Sequence, residues 1–289
     1  MTPLWRRHPV GIVGLGLIGG SLGLDLQAAG ACVRGLVHRR ATAERALERG
    51  LVTTVSTEAS ILADCGLVVL ALPLDRLLAP DPDLLAALPS GAVVTDVGSV
   101  KQPVLACWGD SLAGRFVAAH PMAGTAASGV EAGQPGLFRG RPWVATPDAS
   151  TAPDAVEAVR ELATLVGARW LTCEAAEHDR AVALISHLPV LVSAALLQAA
   201  DRGAEAESLG SLVRALASSG FADTTRVGGG NPALGTLMAR CNRAALLSAL
   251  ARYRAALTRL EGCVETGDWS SLEEELCRCQ ELRPSFLQD

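Results

Sequence analysis

The chain has no basic excess: its formal net charge is −5, and Lys and Arg never gather into a stripe. Nucleic-acid binding draws on clustered cations that displace counterions from phosphates, so no nucleic-acid partner is expected. Charged residues are scarce, 19% against 49% hydrophobic, which excludes a disordered chain and leaves apolar material for one large domain or two moderate ones. The eight cysteines include no C-x-x-C pair. Cys277 and Cys279 stand close together but lack a second ligand pair, so no metal site is expected. No signal-peptide pattern precedes the first expected strand, and reduced thiols in a cytoplasmic protein are the expectation. No repeat, linker or low-complexity tract is found. The longest apolar stretch, residues 181–200, nearly reaches the length of a membrane span but carries His187 and Pro189 near its middle. A buried core helix kinked at the proline is expected there, not a membrane segment.

What is present first is an alternation of short apolar runs with helical patterns, the mark of a parallel sheet wrapped by helices in an α/β doubly wound domain. Strands are expected at residues 10–13, 32–37, 67–72, 93–96, 116–119, 143–146 and 169–172. Gly30 and Gly50 fall where left-handed caps stop the intervening helices. After Cys173 the strand signals vanish, and Ala- and Leu-rich helical spacing continues to about residue 280. That shift places the domain boundary between 173 and 174, with 1–173 the α/β domain and 174–289 all-helical. Asn231-Pro232 reads as the start of a long helix, Asn capping free amides and Pro fitting the first turn. Further on, Leu246, Leu250, Tyr253, Leu257, Leu260 and Val264 recur at alternating spacings of four and three. Such a seam packs one helix on another, inside a bundle or between subunits.

Gly14, Gly16 and Gly19 form G-x-G-x-x-G directly after the first strand and at the start of a helix. Gly14 suits a tight turn, Gly16 a close approach to a pyrophosphate, Gly19 close helix packing, and the amides from Leu17 and Ile18 onward open the helix toward the phosphates. An acid at the end of the second strand, about 20 residues beyond the glycines, would bind a ribose 2′-hydroxyl. The chain has none; it reads His38-Arg39-Arg40-Ala41-Thr42, a cationic cluster with a hydroxyl that suits a 2′-phosphate. NADP is the expected cofactor, ahead of NAD.

Ligands of open parallel sheets bind beyond the carboxyl ends of the strands. Leu72-Pro73, the run from Asp96 through Ser99 to Lys101, and the run from His120 to Thr125 all end strands and are expected to converge near the nicotinamide. Oxidising an alcohol by hydride transfer needs a base near neutral pH, and His120 is the candidate, with Ser99 orienting it by a hydrogen bond. His187 sits in an apolar helix where an unpaired imidazole is costly, so it either caps a local carbonyl or faces the site. Arg226 lies in a polar loop, 218–232, ahead of three glycines, and its guanidinium fork can grip a carboxylate.

The runs 14–19, 96–101, 120–125, 185–189 and 223–232, in this order and spacing, resemble the arogenate/prephenate dehydrogenases, the cyanobacterial arogenate dehydrogenases above all. The resemblance spans essentially the whole chain. It implies a Rossmann-type NADP-binding domain joined to an all-helical domain for substrate and homodimerisation, and oxidative decarboxylation of arogenate to tyrosine. It also implies His120 as the catalytic histidine, and Ser99, His187, Arg226 and Thr125 on the substrate side. Prephenate dehydrogenase with the same fold is the nearest alternative. A dinucleotide-sensing regulator would keep the glycine loop but has no use for His120, Ser99 and Arg226. A β-hydroxyacid dehydrogenase uses a lysine in its helical half, and no lysine occurs after Lys101.

Overall fold

Apolar four-residue runs form the central strands because both faces of the sheet are covered. A short helix, α1 (Leu4–Arg7), leads into β1 (Val10–Val13), every residue of which is buried. The structure, a computed structural model, describes residues 3–112, 114–125 and 127–287. There follow α2 (Leu17–Ala28), β2 (Val33–Leu36), α3 (Arg40–Glu48), β3 (Thr54–Ser56) and β4 (Leu67–Leu70). Next come the short helices α4 (Leu74–Leu77) and α5 (Pro82–Ala87), then β5 (Val93–Asp96), α6 (Gln102–Trp108) and β6 (Phe116–Val117). These six strands are parallel and lie in the order β3-β2-β1-β4-β5-β6. That is the Rossmann order, with its switch point between β1 and β4, where a crevice opens at the carboxyl ends.

The strands feed two cores. Val10, Ile12, Leu67 and Val69 join Leu22 and Leu26 on one side, while Val13, Val68, Leu70 and Val94 join Val104 and Trp108 on the other. Burial on both faces explains why these strands read as unbroken apolar runs. Gly30 and Gly50 adopt φ of +86° and +63° and end α2 and α3 as left-handed caps.

A second, three-stranded sheet is built from β7 (Ala119–Pro121), β8 (Pro142–Ala145) and β9 (Arg169–Thr172), with α7 (Pro153–Leu165) between the last two. The single strand expected at 116–119 is therefore two, in different sheets. The break has a polar cause: Asp96 Oδ1 accepts the amide of Ala119 at 3.0 Å, and Lys101 Nζ donates to its carbonyl at 2.6 Å. The edge strand β3 gave no signal, being three residues long with an exposed threonine at its start.

Past β9 every element is helical: α8 (Ala175–Val182), α9 (Leu188–Ala206), α10 (Gly210–Leu216), α11 (Ser219–Thr225), α12 (Pro232–Cys241), α13 (Arg243–Thr266) and α14 (Trp269–Phe286). The chain divides into two compact units, Met1–Asn242 and Arg243–Asp289. Asn231 caps α12 as expected, its side chain accepting from the amides of Ala233 and Leu234. The long helix expected from there is interrupted at Asn242, which is buried and drawn out of helical geometry by the polar bonds described below. The region expected as a polar loop contains α11, with Arg226 as its C-cap.

Residues Ala183–His187 form a π turn between α8 and α9, so the irregularity expected at Pro189 begins ahead of the proline, which itself fits the first turn of α9. The expectation of a buried core helix is overturned. The stretch Ala175–Ala206 is long and apolar enough to cross a membrane by composition, yet only 22% of its most apolar window is buried within the chain. Leu184, Ile185 and Leu196 are exposed. Its apolar character belongs to a surface that a single chain leaves uncovered.

Candidate active site

The glycine loop lies at the carboxyl end of β1. Gly14 has φ +94°, and a Cβ on it would stand 2.4 Å from the carbonyl oxygen of Ala71, so the turn accepts no other residue. A Cβ on Gly19 would stand 2.0 Å from the carbonyl oxygen of Gly14, so α2 can pack this tightly on the loop only with glycine there. A Cβ on Gly16 would meet nothing within 4 Å. The open side at Gly16 and the first amides of the twelve-residue α2, at Leu17, Ile18 and Gly19, together fit a pyrophosphate. Leu72 packs beside this loop, 3.6 Å from the Cβ position of Gly14, and Pro73 caps α4 next to it.

At the end of β2, His38, Arg39 and Arg40 are exposed at the start of α3. Arg39 Nε donates to His38 Nε2 at 2.9 Å, while Arg40 pairs with Glu44 at 3.0 Å one turn along the helix. Thr42 is half-buried in the first turn of α3. No acid stands at this strand end.

His120, in β7, is buried, and its Nδ1 shares a 2.9 Å hydrogen bond with Nε2 of His178. Nδ1 of His178 is in turn 2.9 Å from Oδ1 of Asp179. The Asp179 carboxylate also accepts the backbone amides of Lys101 at 2.7 Å and Gln102 at 3.0 Å. Burial works against its charge, but His178 and these two amides hold it below the ordinary carboxylate range. Burial first, then the nearby His178, Lys101 and His187, push His120 well below the ordinary histidine range, so its imidazole is neutral. Among the described residues its Nε2 has no hydrogen-bond partner.

Lys101 is the one lysine of the sequence and is fully buried. It is in contact with Asp96, whose Oδ2 also accepts the amide of Gly98 at 2.7 Å. Burial lowers the Lys101 ammonium from its usual range against the pull of Asp96 and Asp179. The pair sets the start of β7, and hence the backbone of His120, through both polar groups of Ala119.

His187 is 2% exposed, and its Nδ1 lies 3.2 Å from Nδ2 of Asn242, which also donates to the Asp179 carbonyl at 2.7 Å. Its Nε2 is buried without a partner among the described residues. Burial, the largest cause, takes it down to about 4, so it too is neutral at physiological pH. Of the two readings open for His187, a cap on a local carbonyl is not what is seen; the ring is held by Asn242 and leaves one nitrogen free.

Ser99 departs from expectation. Its Oγ is buried without a hydrogen-bond partner among the described residues, and the bond to His120 is made by His178 instead. Thr125 is exposed after β7, its Oγ1 accepting the amide of Ala127 at 3.2 Å. Arg226 is exposed and makes no hydrogen bond or ion pair among the described residues, with Asp223 or with the His120 cluster. The glycines after it are not simply a ligand approach: a Cβ on Gly228 would stand 2.4 Å from the amide of Ala194, and its own amide donates to Ser193 at 2.7 Å. His178, Asp179 and Asn242 were missed. The adjacent His-Asp pair, nine residues before His187, was their visible signal, as was a polar residue interrupting an apolar helical pattern.

A Rossmann-type sheet with this glycine loop, and a buried neutral histidine in a polar network at its carboxyl edge, defines a nucleotide-binding dehydrogenase. Residues 22–172 match the family description "Prephenate dehydrogenase, nucleotide-binding domain", and residues 174–278 match "Prephenate dehydrogenase, dimerization domain". The chain belongs to the prephenate dehydrogenase family. It is 31% identical over 286 residues to the cyclohexadienyl dehydrogenase of Zymomonas mobilis, covering 97% of this chain and 96% of that protein. It is 30% identical over 267 residues to the prephenate dehydrogenase of Bacillus subtilis, covering 90% of this chain and 71% of that protein. Among solved structures, Synechocystis arogenate dehydrogenase shares 39% identity and a TM-score of 0.81, covering 96% of this chain and 100% of that one. Membership of a dehydrogenase family sets aside the regulator reading.

Proposed function

We propose that the protein is an NADP-dependent arogenate dehydrogenase that converts arogenate to tyrosine by oxidative decarboxylation. The observation that carries this is His120: neutral, buried, braced through Nδ1 and left with Nε2, unpartnered among the described residues, as the proton acceptor. The bound nicotinamide would supply the hydride acceptor. His120 Nε2 takes the proton of the ring hydroxyl, and loss of the ring carboxylate as carbon dioxide leaves an aromatic ring. His187, with Nδ1 accepting from Asn242, offers its Nε2–H as a donor to substrate, and Ser99 offers a buried hydroxyl with no other use. Arg226 keeps its donors free for a carboxylate, with Thr125 on the same substrate side. Gly14, Gly16, Leu17, Ile18, Gly19, Leu72, Pro73 and Ser99 would hold the dinucleotide.

The preference for NADP rests on His38, Arg39, Arg40 and Thr42, which stand where an acid would select the unphosphorylated ribose. The preference for arogenate over prephenate rests on the likeness to the Synechocystis enzyme. We place the domain boundary at 173/174, where the strand signals stop. The protein works as a cytoplasmic homodimer, in keeping with its eight free cysteines and with the apolar Tyr253, Leu257 and Val264 exposed on α13. Light scattering at micromolar concentration reads that state. Initial rates measured with arogenate and prephenate, each with NADP and NAD, test the assignment. The highest kcat/KM is expected for arogenate with NADP, and a higher value for any other pairing overturns that part of it.

A further inference from the structure

Proton acceptance at Nε2 of His120 requires that this nitrogen carry the lone pair. A neutral imidazole has two tautomers, and only the one protonated on Nδ1 leaves Nε2 basic. The bonds around His120 select it. Asp179 is ionised and can only accept, so the proton it shares with His178 sits on Nδ1 of His178. In a neutral His178 whose one proton faces Asp179, Nε2 is the acceptor, and the 2.9 Å bond to His120 then takes its proton from Nδ1 of His120. We infer that His178, itself held by Asp179, is a positioning residue that fixes His120 as the Nδ1–H tautomer and so leaves its Nε2 as the base. The inference rests on the reading of His120 as proton acceptor.

Three features show that the chain is built and not incidental. Asp179 is anchored from another element, by the amides of Lys101 and Gln102 at 2.7 and 3.0 Å. Its own carbonyl accepts from Asn242 at 2.7 Å, so the turn of α8 that carries both His178 and Asp179 is held at its side chain and its backbone. The rings of His120 and His178 meet edge to face at 68° with centroids 5.2 Å apart, which is how an in-plane N–H reaches an in-plane lone pair on a tilted ring. The other ionisable groups that act on His120 are Lys101, with its partner Asp96, and His187 from the π turn. Among the described residues none of these donates a hydrogen bond to Nε2 of His120.

The direct test is nitrogen NMR on protein labelled with 15N-histidine, without substrate or nucleotide, which reads the protonated nitrogen of each ring. His120 and His178 are both expected to be protonated on Nδ1 in the wild-type chain. His120 protonated on Nε2 overturns the inference, whatever any variant does. Two variants follow. His178→Leu removes the acceptor, is expected to admit the Nε2–H tautomer of His120, and is expected to lower kcat about 10–100-fold while KM changes little. His178→Gln restores an acceptor near the position of Nε2 and is expected to recover most of kcat, which a purely space-filling role would not produce. If His178→Leu is folded and keeps both kcat and the tautomer, the inference fails while the role of His120 stands. If His120→Asn itself keeps full turnover, the base reading fails and takes this inference with it.

Discussion

The carboxylate of Asp179 in α8 accepts the backbone amide of Lys101 at the start of α6 at 2.7 Å. This bond joins a residue of the helical half of the sequence to the carboxyl edge of the parallel sheet, directly beside the Lys101–Asp96 pair that fixes Ala119. One polar network thus sets the backbone of His120 from the sheet side and its ring from the helical side. A change in either half of it reaches the same imidazole.

The pH dependence of activity follows from that network. His120 lies well below the ordinary histidine value of 6.5, so the acidic limb of kcat/KM, which reports the free enzyme, is expected below pH 6.5. A limb at or above 6.5 contradicts the burial and charge environment described for His120.

Stability carries a related signature through His187. Its folded value of about 4 lies below the unfolded value of 6.5, so the unfolded chain binds the extra proton between them. The contribution of His187 is fully present above pH 6.5 and is lost as pH falls from there toward about 4. The fall in Tm across this window is expected to be shallower in His187→Gln; an identical slope in both proteins refutes it.

Lys101→Met leaves the buried Asp96 carboxylate without its counterion. Loss of one partner of a buried pair costs about 3–5 kcal/mol, so urea unfolding of the variant is expected to show a loss of that size. The double variant Lys101→Met with Asp96→Asn removes the stranded charge and is expected to recover part of it. Equal stability of single and double variants argues against the pair as described.

Cofactor choice is expected to respond unequally to the two arginines. Arg40 already pairs with Glu44, whereas the side chain of Arg39 hydrogen-bonds, among the described residues, to the ring acceptor of His38 and to no acid. Arg39→Ala is therefore expected to raise the NADP KM about tenfold, Arg40→Ala by less, and neither to move the NAD KM much. An unchanged NADP KM in the Arg39→Ala/Arg40→Ala double variant moves the 2′-phosphate site elsewhere.

Arg226 has no ion pair within the described chain to lose, so Arg226→Ala is expected to leave Tm unchanged while raising the arogenate KM about tenfold to a hundredfold. A fall in Tm with an unchanged KM reverses that reading and makes Arg226 a structural residue.

The parallel sheet was legible in the sequence because fully buried strands such as β1 and β4 are continuous apolar runs, and because the conformational demands on Gly14 and Gly19 leave an exact spacing. The break at Ala118 was not legible, since it is made by side chains of Asp96 and Lys101, about 20 residues away, and not by local propensity. The same holds for the site. His120 stands out by its place after a strand, but the hydroxyl near it in sequence, Ser99, is not its partner; a histidine 58 residues on makes the bond. Asn242 was hidden because a lone Asn in a long helical pattern looks like a surface residue until the bonds to His187 and Asp179 are seen. The stretch around Ile185 and Leu196 reads as core in the sequence yet is exposed, because hydropathy reports that a surface must be covered, not by which chain.

The most direct measurement is the turnover of His120→Asn with arogenate and NADP, set beside its affinity for NADP. Asparagine can still donate to His178 but offers no basic nitrogen. Turnover is expected to fall by about 10²–10⁴, the usual size of general-base assistance, with NADP affinity unchanged. Turnover within a few-fold of wild type contradicts the role of His120 as the proton acceptor, and with it the mechanism proposed for this site.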